Sequence, residues 1–405
     1  MSHAVSHASG TTLYNDMTTG IALIGYGAMG RAHAMAYRDL IFHYGLAASA
    51  IKIIGVATTR EDSARRAAEE LGCEIATTDW KSLMTRDDVH IVDICTPHEA
   101  HEAQVIAAAE ARKHIYCEKP LARTLDEAQR MAAAVAAAGV RCALTFNFRF
   151  FPCVQRAKQL LAEGFCGRIF SFHGRYFRAS YIDPNRPMSW RLRKAPAGGG
   201  VLIDSGAHLL DFAQWLVSDL SEVRAVLDTP HPERPLSKDD PRKERVDVED
   251  EAFLQVRTQA GALGTLEVSR MATGATNDVW FEVRGQSGAL RFTLEEPNWL
   301  YVYDTRAGDK TRGFVRVETV ARYDDALAPD WSQPVGVSRT HAECQYQFLR
   351  GIWGHASRAP SIDDGLRVQA LVKAAYDSAE ANDWHKIQAV ETVKTMNTQE
   401  KVAKQ

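Results

Sequence analysis

The feature that most constrains the fold is an alternation, through the first third of the chain, of short apolar runs with stretches of helical spacing. The runs are apolar at nearly every position, as in strands that a sheet buries on both faces. Such alternation predicts parallel strands joined by helical crossovers, in a doubly wound α/β sheet. The runs are IALIG (21–25), IKIIGVA (51–57), HIVDICT (90–96), HIYC (114–117) and RCALTF (141–146), and the helical stretches between them include 61–72, 101–113 and 125–139.

The first apolar run leads directly into a glycine-rich turn. Glycine there allows a tight turn, a close approach of the backbone to a pyrophosphate, and packing of the next helix on the strand. The pattern alone also fits a plain turn, but a strand before it and a helix after it favour a dinucleotide-binding Rossmann domain over residues 20–146. The turn consists of Gly25, Tyr26, Gly27, Ala28, Met29 and Gly30.

The end of the second run bears on the choice of dinucleotide. NAD-binding proteins commonly place a carboxylate there for the ribose diol, whereas this chain has Thr58, Thr59 and Arg60. Hydroxyls and an arginine suit the 2′-phosphate of NADP, because arginine pairs with phosphate. Glu61 and Asp62 follow closely, so NADP is favoured and NAD remains open.

A lysine stands where a ligand of a doubly wound sheet is expected, since ligands lie beyond the carboxyl ends of the strands. Lys119 follows the run HIYCE, and Pro120 follows Lys119. Partial burial beside a cofactor is expected to lower the pKa of Lys119 and let it move a proton. The alternative is a surface lysine in an ordinary turn.

The stretch GGGVLIDSGAHLLD adds an acid and a histidine to the candidate site. Asp204 and His208 are four residues apart and Asp211 is three further on, so one continuous helix would place all three on one face. Burying them without a task would cost free energy. Because no third strong ligand stands nearby in a metal-binding spacing, we predict proton transfer rather than a metal site.

The remainder of the chain reads as a second domain of mixed α and β structure over residues 147–387. Short alternating runs predict antiparallel strands, and the charged, proline-rich stretch 231–250 predicts an exposed loop. A last helix is predicted over 363–382 and a polar tail over 388–405. Residues 1–19 are predicted to be a flexible arm, which is either tag-like or packed on a neighbouring subunit.

Composition narrows the classes of partner. A net charge of −3 gives no basic surface for nucleic acid or anionic membrane. The first twenty residues lack the basic start and apolar middle of a secretory signal. Seven cysteines, an odd number without a CxxC pair, favour neither disulfides nor zinc. We therefore expect reduced cysteines in a cytoplasmic protein.

The motifs GYGAMG, CTPHEAH, YCEKPLA, NFRF and GGGVLIDSGAHLLD, in this order, resemble the glucose-fructose oxidoreductase, inositol dehydrogenase and rhizopine-catabolism family. The resemblance covers about Gly20 to Ile387, and the segments DPNRPMSWR, PERPL and VDVEDEA are similar to sugar dehydrogenases of that family. It implies a C-terminal α+β domain with a large open, mostly antiparallel sheet, through which subunits form a homodimer or homotetramer.

The resemblance also implies roles for particular residues. Lys119 and His208 would carry the substrate proton and Asp204 would orient the hydroxyl. Many members have asparagine where this chain has His98, which leaves the contact of that residue open. Thr96, Pro97, His98 and His101 would line the nicotinamide side, Glu118 would contact the nicotinamide ribose, and Asn147, Arg149, Trp190 and Arg191 would lie near the substrate or the nicotinamide.

These features predict an NAD(P)-dependent oxidoreductase that acts on a hydroxyl or ketone of a sugar, anhydrosugar, cyclitol or glycoside. Trp190 and Tyr181 are aromatic candidates for stacking on a sugar face, although packing is an equal alternative for each. Two other functions fit the same fold: a glycosidase that retains NAD, and a non-catalytic protein that senses dinucleotides. Lys119, Asp204 and His208 argue against the second of these.

Overall fold

The computed structural model of the chain describes residues 18–319, 323, 325–329 and 333–390. These residues form a six-stranded sheet, a nine-stranded sheet and a separate two-stranded ribbon. The predicted arm up to residue 17, and the predicted tail beyond residue 390, lie outside the described residues. Thr19 already belongs to the first strand, so the structured part begins slightly earlier than the sequence predicted.

The six-stranded sheet is entirely parallel, which confirms the prediction from the apolar runs. Its strands lie in the order β3-β2-β1-β4-β5-β6, and the order reverses beside β1, which opens a crevice at the carboxyl ends of the strands. Strand β3 was not predicted, because it has only three residues and none of them is buried. The strands are β1 (Thr19–Ile24), β2 (Ile51–Ala57), β3 (Ile75–Thr77), β4 (Ile91–Ile94), β5 (His114–Cys117) and β6 (Cys142–Leu144).

Five helices cover the two faces of this sheet. The three predicted helical stretches are present, and α5 starts where the Thr124 side chain accepts a hydrogen bond from the Glu127 amide. The helices are α1 (Ala28–Tyr44), α2 (Glu61–Leu71), α3 (Trp80–Met84), α4 (His101–Glu110) and α5 (Leu125–Ala138). A short 3-10 turn, His98–Ala100, precedes α4.

The nine-stranded sheet is antiparallel except where β7 pairs with β12 in parallel, so the predicted large open sheet is confirmed. The segment predicted as an exposed loop contains the ribbon of β9 and β10 and a fully buried Arg234, which corrects that prediction. The strands are β7 (Ile169–Phe177), β8 (Leu220–Asp228), β9 (Glu233–Pro235), β10 (Lys243–Arg245), β11 (Glu251–Thr258), β12 (Leu263–Ser269), β13 (Asp278–Gly285), β14 (Gly288–Thr293), β15 (Trp299–Asp304), β16 (Val315–Glu318) and β17 (His385–Lys386).

The remaining helices lie between the two sheets or pack back against the half of the chain that contains the parallel sheet. The last one starts at a capping box of Ser361 and Asp364 and agrees with the predicted helix within one residue at each end. The helices are α6 (Pro152–Ala162), α7 (Lys194–Ala197), α8 (Val201–Asp204), α9 (Gly206–Leu216), α10 (Val337–Ile352) and α11 (Ile362–Ala381), with further 3-10 turns at Asn147–Phe150 and Trp190–Leu192.

The two predicted domains share their apolar core. One large cluster runs from the parallel sheet through α9 to the open sheet and α11. In a second cluster, α10 packs on α1, and the rings of Tyr44 and Tyr346 stack with centroids 3.4 Å apart. The C-terminal helices therefore fasten the open sheet to the dinucleotide-binding half. In the described part of the chain, we find no helix with the length and apolar character to cross a bilayer.

Candidate active site

The parallel strands end level with one another, and this alignment creates the site. Ile24, at the end of β1, is paired with Ala57 of β2 and Ile94 of β4, and Ile94 is paired with Cys117 of β5. The residues that follow these strands meet at one edge and face residues 178–205 of the second half across a cavity of about 810 Å³. Its volume suits a ligand larger than a single sugar.

Most of the residues predicted from the sequence line this cavity, and six do not. The predicted residues that line it are Gly25, Tyr26, Gly27, Ala28, Met29, Thr58, Thr59, Thr96, Pro97, His98, Glu118, Lys119, Tyr181, Trp190, Arg191 and Asp204. Those outside the lining are Gly30, Arg60, His101, Asn147, Arg149 and His208.

The glycine-rich turn is shaped for close approach of backbone groups. Gly25 has φ +91°, and a Cβ there would lie 2.6 Å from the Cys95 carbonyl oxygen. A Cβ on Gly30 would lie 2.2 Å from the Gly25 carbonyl oxygen, so Gly30 permits α1 to pack on the turn rather than lining the cavity. Gly27 faces open space at the start of the 17-residue helix α1. Amides at such a helix start attract a pyrophosphate.

Hydroxyl groups occupy the end of β2. The Thr58 hydroxyl lies 2.7 Å from the Ser63 hydroxyl and donates to the Arg60 carbonyl oxygen at 2.9 Å. The Arg60 side chain is 70% exposed, with Nε 3.6 Å from a carboxylate oxygen of Asp62. The described residues that line the cavity include two carboxylates, Glu118 and Asp204, and neither of them follows β2.

Two histidines follow β4. His98 is buried, with Nδ1 2.9 Å from the Ala197 carbonyl oxygen and its ring edge-on to Trp190 at 4.9 Å. Burial lowers the pKa of His98 to about 4, so the ring is neutral at pH 7. His101 lies behind the cavity lining, between the carbonyl oxygens of Thr96 and Pro120 at 3.0 and 3.1 Å. His101 therefore holds two strand ends together, which differs from its predicted place beside the nicotinamide.

Lys119 and Asp204 form an ion pair across the cavity edge. The Lys119 ammonium donates to Oδ1 and to the backbone carbonyl of Asp204, both at 3.0 Å. Burial disfavours the charge on Lys119, but the carboxylates of Asp204 and Glu118 outweigh it and raise the pKa above the usual lysine value. The predicted lowering of this pKa is therefore wrong, because the sequence did not reveal the pairing with Asp204. The Lys119–Pro120 peptide bond is cis.

A buried network behind Lys119 was not predicted. Glu118 accepts a hydrogen bond from the Lys119 amide at 3.1 Å and from Nε2 of His33 at 3.0 Å, while Nδ1 of His33 lies 2.9 Å from Asp93. Burial opposes ionisation of Glu118, yet the hydrogen bond and charge of His33 lower its pKa to about 2. Burial would lower the pKa of His33, but Asp93 and Cys95 outweigh it and raise that pKa well above its usual value. An imidazolium thus fixes Glu118 as a carboxylate at the cavity wall.

Two groups of described side chains in this network have ligand atoms close enough together to hold a metal ion. Ligand atoms of His33, Glu118 and His341 lie near one another, as do those of His33, Asp93 and Cys95, which offers a sulfur. Each ring nitrogen of His33 already meets a carboxylate. Nδ1 of His341, by contrast, has no hydrogen-bond partner among the described residues.

The single helix that the sequence predicted over Asp204 and His208 is interrupted at Ser205, where α8 ends at Asp204 and α9 begins at Gly206. Ser205 nevertheless keeps helical backbone angles, with φ −71° and ψ −39°, so the interruption is one residue long. His208 is buried beneath the site, stacked on Phe148 with ring centroids 4.3 Å apart. Burial and the charge of Lys119 lower the pKa of His208 to about 3, so it is neutral beside the ion pair.

Arg149 and Asn147 lie outside the cavity, which differs from their predicted place near substrate or nicotinamide. Nε of Arg149 donates to Asp211 at 2.7 Å, and Nη2 lies 2.9 Å from Asp364 of α11. Asn147 donates to the hydroxyl of Thr340 on α10 at 2.9 Å. Both side chains bind the 3-10 turn after β6 to the C-terminal helices. Asp211 is consequently a structural partner of Arg149.

Glu249 positions the helix that carries Asp204, and no local sequence signal indicated it. Its carboxylate accepts hydrogen bonds from the amides of Gly200 and Leu202 at 3.1 and 2.9 Å and from the Tyr376 hydroxyl at 3.1 Å. A Cβ on Gly199 would lie 1.9 Å from that hydroxyl oxygen. The three-glycine segment is thus needed for this close packing.

A parallel sheet of order 3-2-1-4-5-6, a glycine turn at its switch point and a buried lysine–aspartate pair define a dinucleotide-dependent oxidoreductase. Residues 19–146 match the family described as oxidoreductase family, NAD-binding Rossmann fold, and residues 154–291 match the GFO/IDH/MocA C-terminal domain. The chain belongs to this GFO/IDH/MocA oxidoreductase family, which confirms the resemblance seen in the sequence.

Individual relatives agree with this assignment. A levoglucosan dehydrogenase from Pseudarthrobacter phenanthrenivorans is 37% identical over 378 residues, which cover 90% of this chain and 97% of the relative. The D-apiose dehydrogenase of Paraburkholderia graminis is 26% identical over 88% of this chain and 87% of the relative. A solved levoglucosan dehydrogenase in complex with NADH and levoglucosan has a TM-score of 0.87 and covers 92% of this chain and all of that one at 37% identity.

Proposed function

We propose that the chain transfers a hydride between a nicotinamide dinucleotide and a secondary hydroxyl, or the matching ketone, of a sugar, anhydrosugar, cyclitol or glycoside. The observation that carries this proposal is the Lys119–Asp204 ion pair, which stands in the same cavity as the glycine turn. The relatives named for levoglucosan and D-apiose support a sugar-like substrate.

The ion pair supplies the proton transfer that this reaction needs. A carbinol carbon loses hydride only as its hydroxyl loses a proton, so a proton carrier must lie within hydrogen-bond reach. In reduction, the Lys119 ammonium donates its proton to the developing alkoxide. In oxidation, the neutral amine accepts the hydroxyl proton, and Asp204 holds Nζ in position. The nicotinamide, when bound, supplies or accepts the hydride.

Other lining residues are proposed to bind the sugar. Trp190 offers an aromatic ring, whereas the ring of Tyr181 already carries the guanidinium groups of Arg186 and Arg270. Arg191, 3.7 Å from the Asp204 carboxylate, offers donors for hydroxyl groups. His208 is neutral and lies behind the ion pair, and its Nδ1 has no hydrogen-bond partner among the described residues. We therefore assign His208 a hydrogen bond to the substrate or to Lys119, with Lys119 as the proton carrier.

The preference for NADP over NAD is also a proposal. The hydroxyls of Thr58, Thr59 and Ser63, together with the exposed Arg60, support a 2′-phosphate at the end of β2. Against it stand Asp62, which competes for Arg60, and the NADH present in the solved levoglucosan dehydrogenase. Kinetic comparison of the two cofactors with one sugar decides between them.

We further propose a homodimer or homotetramer that forms through the open sheet, in the cytoplasm. Val226 and Phe253 are paired across β8 and β11 and are 58% and 42% exposed, which supports a sheet face that binds a second copy. Six of the seven cysteines are buried, and all seven are present as thiols, which supports a reducing compartment. Light scattering of the wild type and of Phe253→Lys tests the assembly, and a monomeric wild type would contradict it.

The function is tested with a panel of monosaccharides, anhydrosugars, inositols and glycosides, each with NAD and with NADP. Appearance of reduced cofactor in proportion to sugar consumed is the expected result. Hydrolysis of a glycoside without release of reduced cofactor would favour a glycosidase that retains NAD. Tight cofactor binding without turnover of any compound would favour a sensor.

Lys119→Ala tests the assigned proton carrier. We expect turnover to fall by roughly 10²–10⁴-fold, the usual weight of general acid–base catalysis, with cofactor affinity retained. Lys52→Ala is the matched control, because Lys52 is an exposed lysine near the start of β2, at the opposite edge of the sheet. A Lys119→Ala enzyme with near-normal rates would refute the assignment.

A further inference from the structure

The second half of the chain forms the cavity wall beside the proposed sugar site, and this wall carries an excess of positive charge. Among the described residues, five cationic side chains line the cavity, against two carboxylates, those of Glu118 and Asp204. Four of the five belong to the second half of the chain, opposite the glycine turn. The cations are Lys119, Arg178, Arg186, Arg191 and Arg270. A cleft lined mainly by one sign of charge attracts a ligand of the opposite sign.

Two of these arginines stand side by side because of the sheet register. Strands β7 and β12 run in parallel and end together, with Phe177 paired with Ser269. Arg178 and Arg270 are the residues that follow them, and the Arg178 amide donates to the Ser269 carbonyl at 2.8 Å. The two guanidinium groups therefore enter the cavity from adjacent strand ends. Among the described residues, Arg178 forms no ion pair with a carboxylate.

Arg270 is buried and incompletely satisfied. Its side chain is 4% exposed, and Nε donates to Asp250 at 2.5 Å, while Nη2 has no hydrogen-bond partner among the described residues. Asp250 serves two guanidinium groups, since Arg234 lies 4.0 Å from its other oxygen. A buried donor without an acceptor, such as Nη2 of Arg270, costs free energy.

Arg186 is a further cationic group whose contacts leave it available to a ligand. Arg186 stacks on Tyr181 at 4.2 Å from the ring centroid and donates to the Ser180 carbonyl, with no described carboxylate in reach. Arg270 stacks on the same ring, also at 4.2 Å. Tyr181 thus holds two guanidinium groups in place beside the cavity, where both can serve one ligand.

We propose that the sugar substrate carries an anionic group, a carboxylate or a phosphate, which Arg178 and Arg270 bind with the help of Arg186. This inference rests on the proposed function, because it names the substrate class of that same site. The planar forks of arginine match the paired oxygens of either group, and such charge-assisted hydrogen bonds are strong. The oxygen of the anion would satisfy the free Nη2 of Arg270.

The cofactor's own phosphates do not account for these arginines. The pyrophosphate is assigned to the turn at Gly25–Gly30, on the first half of the chain. Arg178 instead belongs to the second half of the chain and lines the same cavity as Lys119 and Asp204. A ligand in that cavity can therefore meet both Arg178 and the proton carrier.

The first experiment compares matched sugars that differ in charge. D-glucuronate and D-glucose 6-phosphate are compared with D-glucose, and D-galacturonate with D-galactose, both for turnover and for binding to the enzyme–NADH complex by calorimetry. We expect the anionic member to bind and turn over at least tenfold better, the scale of one charge-assisted hydrogen bond. Its advantage should shrink at high salt, since screening weakens attraction of charges. A preference for the carboxylate or for the phosphate identifies the source of the charge.

Arg178→Gln is the decisive variant, because Arg178 is exposed and its replacement leaves the core intact. We expect the ratio of anionic to neutral kcat/KM to fall about tenfold. Arg38→Gln, an exposed arginine on α1 outside the cavity, is the control and should leave the ratio unchanged.

The outcomes separate the two proposals. Turnover of neutral sugars at least as fast as their acids would leave the proposed function in place and overturn the anionic substrate. Tight binding of an acid without oxidation would support the anion site and overturn the proposed function. Equal binding of acid and neutral sugar, or an unchanged ratio in Arg178→Gln, would overturn the anion site.

Discussion

Nζ of Lys119 lies 3.0 Å from Oδ1 of Asp204, although the two residues are 85 positions apart in the chain. Lys119 follows β5 of the parallel sheet, whereas Asp204 is the last residue of α8 in the second half of the chain. The Asp204 backbone carbonyl accepts from the same ammonium group at 3.0 Å. Lys119 is therefore protonated in the free enzyme. The protonated form favours reduction, in which Lys119 donates a proton, and disfavours oxidation, in which it accepts one.

Oxidation is expected to speed up with rising pH over the whole accessible range. The neutral amine is the proton acceptor, and the pKa of Lys119 lies above the ordinary lysine value of 10.5, because nearby carboxylates outweigh burial. Below that pKa, kcat/KM for oxidation should rise about tenfold per pH unit, whereas kcat/KM for reduction should stay level. Initial rates in both directions measure this.

His208 cannot produce that rise, since its pKa of about 3 leaves it neutral from pH 5 upward. A plateau of the oxidation rate near pH 7 would therefore contradict Lys119 as the sole proton acceptor. Such a plateau would indicate either a different proton acceptor with a lower pKa or a bound cofactor that lowers the pKa of Lys119.

Asp204→Asn is expected to shift the pH profile of oxidation to lower pH. Burial favours the neutral amine, and removal of the Asp204 carboxylate takes away the main interaction that opposes burial. The maximal rate should also fall, because the amide holds Nζ less firmly. The readout is the midpoint of the pH profile, which loss of structure alone would not move.

The control for this variant is Asp126→Asn, an exposed acid in the first turn of α5. Its profile should match that of the wild type. An Asp204→Asn enzyme with lower rates and an unmoved midpoint would mean that Asp204 acts only by orientation.

Arg60→Ala is expected to weaken NADP binding more than NAD binding. The exposed guanidinium at the start of α2 follows the end of β2, where the 2′-phosphate is expected. Loss of one charged hydrogen bond should raise the KM for NADP about tenfold and leave that for NAD nearly unchanged. Arg66→Ala, six residues further along the chain on α2 and also exposed, is the control. Equal effects on the two cofactors would remove the argument for a phosphate contact.

The parallel sheet could be predicted because its signal is local. Strands buried on both faces must be apolar throughout, so β1, β2 and β5 appeared in the sequence with bounds correct within two residues. The residues beyond their ends were found for the same reason, since a doubly wound sheet brings those ends together. Strand β3 escaped, because three half-exposed residues carry no such pattern.

The wrong predictions concern features that depend on contacts between residues far apart in the sequence. Spacing of three and four residues places side chains on one face only within an unbroken helix, and the helix is interrupted at Ser205, between Asp204 and His208. The charge of Lys119 depends on Asp204, and the place of Arg149 depends on α11. No local pattern contains either pairing. His33 and Glu249 were missed likewise, since each acts on a partner far away in the sequence.

The last prediction separates a structural role of Arg149 from a role in binding. Its side chain is 5% exposed and lies between the buried carboxylates of Asp211 and Asp364. Arg149→Met would leave Asp211 without its ion-pair partner, whereas Asp364 keeps Arg367, and breaking a buried pair in this way costs about 3–5 kcal/mol. The free energy of unfolding, measured with urea, should fall by that amount, while the KM values of the folded enzyme stay near normal. Arg156→Met on α6, where the arginine is exposed, should change stability by less than about 0.5 kcal/mol. A stable Arg149→Met enzyme with a raised KM for sugar or cofactor would return Arg149 to the binding site.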